Sequence, residues 1–104
     1  MSASEVLTPT VETLVLTVAN TQYTIDLAGV QHFSIQSRAA QDFRFAWVTG
    51  KVAGSVEPFM TCKSGQVLNA PEKCSTPPGL TLYVASANAG QVLEILKWQR
   101  LPSV

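Results

Sequence analysis

Apolar and polar residues alternate with a period of two along most of this chain. The clearest run covers residues 80–84, where leucine and valine alternate with threonine and tyrosine. Residues 22–27 and 31–38 show the same alternation. Residues 11–18 are largely apolar or β-branched on both faces, which is typical of a strand in the middle of a sheet or at an interface. A period of two is typical of a β-strand with one buried face. The pattern therefore predicts a series of short strands.

The longest patterned stretch, residues 80–98, predicts a β-hairpin that closes the domain. Residues 86–90 separate two apolar runs and include Asn88 and Gly90. Asparagine and glycine favour turns because both tolerate a left-handed backbone. The second run, residues 91–99, is rich in valine, leucine and isoleucine. We expect the earlier strands to pack on this hairpin.

The remaining pattern predicts an all-β fold of about seven or eight strands, arranged as a small two-sheet β-sandwich or jelly-roll-like domain. No helical period extends over ten residues. Besides the closing hairpin, strands are predicted at residues 11–18, 22–27, 31–38, 42–49, 57–62 and 66–68. Residues 1–10 are predicted to be an N-terminal arm, and residues 11–104 a single β-sandwich domain. The arm either frays, as termini commonly do, or reaches a neighbouring subunit.

The strand at residues 42–49 carries the predicted centre of the core. Phe43, Phe45 and Trp47 share one face of this strand, and Arg44 lies on the other face. Aromatic side chains bury large apolar areas, which favours a core role for all three. The alternative is an exposed row of rings on which a sugar stacks.

The charge balance excludes partners that bind through a strong field. Seven basic and seven acidic residues cancel, so nothing favours nucleic acid or an anionic membrane. Charged residues make up only 13% of the chain, against about 25% in typical domains. We infer that a partner covers much of the surface, although serine, threonine, glutamine and asparagine are an alternative means of solvation. No transmembrane run or signal peptide is visible, which predicts synthesis in the cytoplasm.

No arrangement of residues predicts catalysis, a cofactor or a bound metal. The chain lacks a nucleophile-elbow motif, a phosphate-binding loop and a dinucleotide-binding motif. His32 has no evident catalytic partner and is predicted to face away from the core. Cys62 and Cys74 lack metal-ligand spacing, so they are read as free or buried thiols. The alternative is a disulfide that forms in an oxidising exterior.

Glu94 is a carboxylate inside an apolar run, residues 91–99. A buried carboxylate without a partner is costly. We therefore expect a pair with a base such as Arg38, Arg44 or Lys97. The alternative is that this face of the strand lies at an edge or an interface.

Three motifs follow one another in residues 22–99: a short predicted strand ending in arginine, the aromatic strand, and the predicted C-terminal hairpin. Their characteristic positions are Arg38, Asp42, Phe43, Arg44, Phe45, Trp47, Leu82, Tyr83, Ala85, Ser86, Ala89, Gly90, Val92, Glu94 and Trp98. In these motifs the chain resembles small virion proteins encoded among the structural genes of tailed bacteriophages. The N-terminal arm and residues 55–79 depart from the pattern.

The resemblance implies a non-enzymatic structural protein of the virion, made in the host cytoplasm. Its expected role is that of a capsid cement or decoration protein that binds the assembled shell and stabilises subunit junctions. The implied partners are the major capsid protein and further copies of the chain, with a homotrimer as one arrangement. One alternative is a tail, baseplate or fibre-attachment protein. Another is a carbohydrate- or receptor-binding module that uses Tyr83, Trp47 or Trp98 as its stacking surface.

Overall fold

The chain folds into eight β-strands that form two four-stranded antiparallel sheets. A computed structural model describes residues 5–69 and 80–102, with side chains described for residues 8–69 and 80–99. The strands are β1 (Glu5–Leu16), β2 (Tyr23–Asp26), β3 (Val30–Ser37), β4 (Phe43–Ala46), β5 (Met60–Cys62), β6 (Val67–Asn69), β7 (Thr81–Ala85) and β8 (Gln91–Pro102). The prediction of a small all-β sandwich is confirmed.

The strand order is that of a jelly roll. Sheet 1 has the order β1-β8-β3-β6, and sheet 2 has the order β2-β7-β4-β5. The first strand pairs with the eighth, the second with the seventh, the third with the sixth and the fourth with the fifth. The chain is therefore equivalent to one long hairpin rolled up so that alternate strand pairs fall in opposite sheets.

The predicted hairpin at residues 80–98 is wrong. β7 lies between β2 and β4 in sheet 2, whereas β8 lies between β1 and β3 in sheet 1. The connection crosses from one sheet to the other, and the buried Ser86 carbonyl at its start accepts a hydrogen bond from the Asn20 amide (2.7 Å). The same turn residues serve a hairpin and a crossing between sheets, so local sequence does not separate the two.

The first strand begins at Glu5, inside the segment predicted to be an arm. β1 pairs with β8 without a break from Glu5, opposite Pro102, to Leu16, opposite Gln91. The start predicted at residue 11 is therefore wrong. Pro9 obscured the strand in the sequence, but proline is tolerated on an edge strand when its nitrogen faces away from the partner.

One continuous core lies between the two sheets. Its fully buried side chains come from both sheets and include Phe43, Leu16, Ile35, Leu82 and Leu93. Phe43 and Phe45 are buried as predicted, but Trp47 is 45% exposed, so its placement in the core was wrong. Because β4 ends at Ala46, the Trp47 ring lies at the margin of the core, edge-on to Phe33 at 6.3 Å between centroids.

Candidate interaction surface

The outer face of sheet 1 carries an apolar strip along β1 and β8. The register places Val11 opposite Leu96 and Val15 opposite Val92, and Trp98 continues the row on β8. These side chains point away from the core because their strand neighbours Leu14, Leu16, Leu93 and Ile95 point into it. Val11 is 73% exposed and Val15 is 47% exposed. We call these five residues, Val11, Val15, Val92, Leu96 and Trp98, the apolar strip.

A polar network lies beside the strip and enters it at its centre, where Thr13 of β1 lies opposite Glu94 of β8. Glu94 accepts hydrogen bonds from Gln36 Nε2 (2.9 Å) and from Arg38 Nε (3.0 Å). These two hydrogen bonds, that from Gln36 first, hold the pKa of the Glu94 carboxyl below its ordinary value. On the neighbouring row, Ser34 donates to Asn69 Oδ1 (2.6 Å). The expected pairing of Glu94 with a base is confirmed, with Arg38 as the partner.

The strip and the network share a shallow depression. Its lining includes Val11, Leu96, Ser34, Gln36 and Glu94. One wall is thus aliphatic, and the other presents amide, hydroxyl and carboxylate groups. Such a mixture suits a protein surface with apolar and hydrogen-bonding groups side by side, as in the core and rim of protein interfaces.

The outer face of sheet 2 is covered by the chain itself over β4 and β7. Residues 47–56 fold back over it, and Val52 is completely buried in a second small cluster with Ala46, Ala85 and Tyr83. Arg44 stands on this face and donates from Nε to the Val52 carbonyl (2.7 Å) and from Nη2 to Asn20 Oδ1 (2.8 Å). Within the described residues, no comparable loop covers the outer face of sheet 1.

An ion pair lies at the side of the sandwich between sheet 1 and sheet 2. The side chain of Lys97 points inward and the residue is 5% exposed, and its Nζ lies 2.9 Å from Glu12 Oε1. Thr24 and Asp26 of β2 line the same opening. Because Glu12 itself is half exposed, this pair neutralises a buried ammonium group at the edge of the core rather than forming a closed binding site.

The residues weighed in the sequence for stacking or catalysis do not come together. His32 is half-buried on the outer face of sheet 1, opposite Trp98, whereas Tyr83 belongs to the covered face of sheet 2. Trp47 lies at the margin of the core. The rings of Trp47, Tyr83 and Trp98 therefore lie on different surfaces and do not form one stacking platform. Among the described residues, no group of three potential ligands from His, Cys, Asp and Glu lies close enough to hold a metal ion.

Cys62 is buried, and its thiol donates to the Gln66 carbonyl (3.6 Å). Burial, followed by the nearby charge of Asp42, raises the pKa of this thiol above its ordinary value. Cys74 lies outside the described residues, so the alternative of a disulfide between Cys62 and Cys74 stays a prediction.

The part of the chain that the structure describes contains no helix long and apolar enough to cross a membrane.

Sequence reasoning gave an interface as one of two places for residues 11–18, but it did not identify the apolar strip as a whole. The signal was present in residues 11–18, which are largely apolar or β-branched on both faces. One face of that run packs in the core through Leu14 and Leu16, and the other supplies Val11 and Val15. Only the strand order shows that β8 adds Val92, Leu96 and Trp98 to the same outer face.

Comparison with known proteins gives little further guidance. No protein-family model matches the chain, and no curated protein matches its sequence. Among solved structures, the chain is similar to one described as "Bacillus endospore appendages form a novel family of disulfide-linked pili". The TM-score is 0.48 and the identity 12%, over 95% of this chain and 93% of that chain. A likeness this distant carries no information about what the present chain binds.

Proposed function

We propose that this protein is a structural component of a bacteriophage virion, of the cement or decoration type. The sequence motifs described above supply the class of particle. The apolar strip is the single observation that carries the mode of action, because exposed and half-buried apolar side chains grouped on one face of a small domain mark a protein contact site. The low fraction of charged residues also favours a protein whose surface contacts a partner.

In this role the outer face of sheet 1 rests on the assembled shell. The apolar strip supplies burial, and the polar network beside it supplies directional hydrogen bonds to the shell subunits. A protein that binds the assembled lattice better than separate subunits stabilises the lattice by mass action. Copies placed around a local symmetry axis of the shell, such as a threefold, would bridge neighbouring subunits.

Binding to shells that lack the protein tests this proposal. Substituting V92S and L96S together removes two members of the apolar strip, and we expect at least about a tenfold loss of affinity in cosedimentation, equivalent to about 1.4 kcal/mol. The matched control is V48S with M60S, which truncates two exposed apolar residues away from sheet 1. We expect the control to bind normally and to raise the melting temperature of the shell as the wild type does.

Three results would contradict the proposal. Equal loss of binding by both double variants would mean that the apolar strip is not the contact surface. Absence of binding by the wild type would remove the cement role. Density for the protein only in the tail of the particle, in a cryo-electron microscopy reconstruction, would favour the tail or baseplate role instead.

One observation favours a second candidate, the carbohydrate- or receptor-binding module. Trp47 is almost half exposed and follows directly after β4. Exposed tryptophan rings stack readily on the apolar faces of ligands. If sugars bind there, tryptophan fluorescence should respond to added glycans in the wild type and not in W47F. An unchanged response in W47F would exclude Trp47 as the stacking residue.

A further inference from the structure

β1 is the terminal strand of sheet 1, and one of its edges pairs with no described strand. An edge strand presents a row of unpaired N–H and C=O groups that can join another strand. Natural proteins protect such edges with lysines, prolines, inward-pointing charges, bulges or short length. β1 is twelve residues long and contains no lysine, and its register with β8 shows no bulge. Its proline, Pro9, lies outside residues 11–15, and the charge of Glu12 is paired with Lys97 of the same chain.

The backbone groups that point out from this edge can be identified. The Leu16 carbonyl accepts a hydrogen bond from the Gly90 amide (2.8 Å), so the backbone groups of Leu16 face β8. Backbone groups alternate in direction along an antiparallel strand. Because the register is continuous, those of Val11, Thr13 and Val15 face away from β8.

Pro9 supports this assignment independently. Pro9 is two residues before Val11, so its backbone groups also face away from β8. It lies within the β1–β8 ladder, opposite Trp98. Proline cannot donate a ladder hydrogen bond, and it is accommodated when its nitrogen faces the free side of an edge strand. The free edge therefore offers regular donors and acceptors from Val11 to Val15, and proline interrupts the row on one side.

We propose that this edge pairs with the same edge of a second copy of the chain, in an antiparallel arrangement centred on Thr13. Sheet 1 of one copy and sheet 1 of the other would then form one continuous eight-stranded sheet across a twofold axis. In this register Val11 of each copy faces Val15 of the other, and the two Thr13 residues face each other. Valine and threonine pairs of this kind stabilise adjacent strands.

The choice of a second copy as the occupant rests on self-complementarity. The outward-facing positions Val11, Thr13 and Val15 carry no charge, so no like charges meet across the axis. The nearest acidic residue on β1, Glu12, is held by Lys97 of its own chain. A twofold contact uses the same patch on both copies and closes, which avoids open-ended assembly. The pairing also joins the two apolar strips into one larger surface.

Sedimentation of the isolated protein over a concentration series tests the pairing, and it needs no viral shell. The outcome is thus independent of the function proposed above. We expect a concentration-dependent monomer–dimer equilibrium for the wild type. A monomer at every concentration up to the millimolar range would overturn the proposal.

Two charge variants test the register with the same pair of positions. V11K with V15K places like charges opposite each other, and we expect the dimer dissociation constant to rise about tenfold or more. V11K with V15E places opposite charges together in the symmetric dimer, and we expect dimerisation to persist. Equal weakening of the dimer in both variants, or no weakening in either, would overturn the proposed register.

Amide hydrogen exchange supplies a readout on the unmodified chain. The amides of Val11, Thr13 and Val15 should become protected as the protein concentration rises. The amides of Glu12 and Leu14 face β8, so they should be protected at all concentrations. Exchange at Thr13 that stays fast and independent of concentration would contradict the pairing, even if the protein dimerises through another surface.

Discussion

The outer faces of the two sheets in this jelly roll differ in how far the chain itself covers them. Over β4 and β7, sheet 2 is covered by residues 47–56, where Val52 is completely buried, and Arg44 donates to the Val52 carbonyl and to Asn20 Oδ1. Sheet 1 leaves Val11 and Val15 exposed, and no described loop crosses them. One face therefore contributes to the stability of the fold, whereas the other is available for a partner.

The comparison shows why residue type alone does not reveal a surface. Each outer face has an arginine and a row of small or apolar side chains. On sheet 2 Arg44 is half-buried beneath the chain, while on sheet 1 Arg38 forms an exposed ion pair with Glu94. Equivalent substitutions on the two faces should therefore have very different effects on the free energy of unfolding.

The largest difference should appear between R44A and R38A. Loss of the Arg44 side chain leaves the Val52 carbonyl and Asn20 Oδ1 without this donor, and we expect destabilisation of about 2–3 kcal/mol. Loss of Arg38 breaks an exposed ion pair, which should cost less than about 1 kcal/mol. Urea denaturation measures both values. Similar values for the two variants would mean that the covering loop contributes little to stability.

A smaller difference is expected between V52A and V11A. Val52 is fully buried, so removing its two methyl groups should cost about 2 kcal/mol through lost burial and a residual cavity. Val11 is largely exposed, and the same substitution should change stability by less than about 0.5 kcal/mol. The control is thermal unfolding at low protein concentration, where self-association does not contribute. A cost at Val11 as large as that at Val52 would contradict the description of sheet 1 as the free face.

The smallest effect concerns the pH dependence of the exposed face. The Glu94 pKa is lowered in the folded state, so its contribution is present above its unfolded-state pKa. That contribution should fade as the pH falls from the ordinary glutamate range through the lowered value. Wild type and E94Q should thus differ most near neutral pH and converge in strong acid. A constant difference between their unfolding free energies across this range would show that ionisation of Glu94 does not contribute.

The sequence alone predicted the fold class and most of the strands. The period of two at residues 22–27 and 31–38 located β2 and β3, because side chains in a strand alternate between core and solvent. Phe43 and Phe45 were correctly assigned to the core. The pairing of Glu94 with a base was also predicted correctly, although the carboxylate lies on the exposed outer face of sheet 1 and not in the core.

Only the tertiary structure decided which strands are neighbours. The turn at residues 86–90 has the same local chemistry whether it closes a hairpin or crosses between sheets, so β7 and β8 were wrongly paired. Trp47 matched the core pattern but lies beyond the end of β4, where alternation no longer determines burial. The apolar strip likewise depends on strands that are distant in sequence. Periodicity is a local property that fixes which face of a strand is apolar, whereas strand order, set by packing of the whole chain, decides which apolar faces remain uncovered.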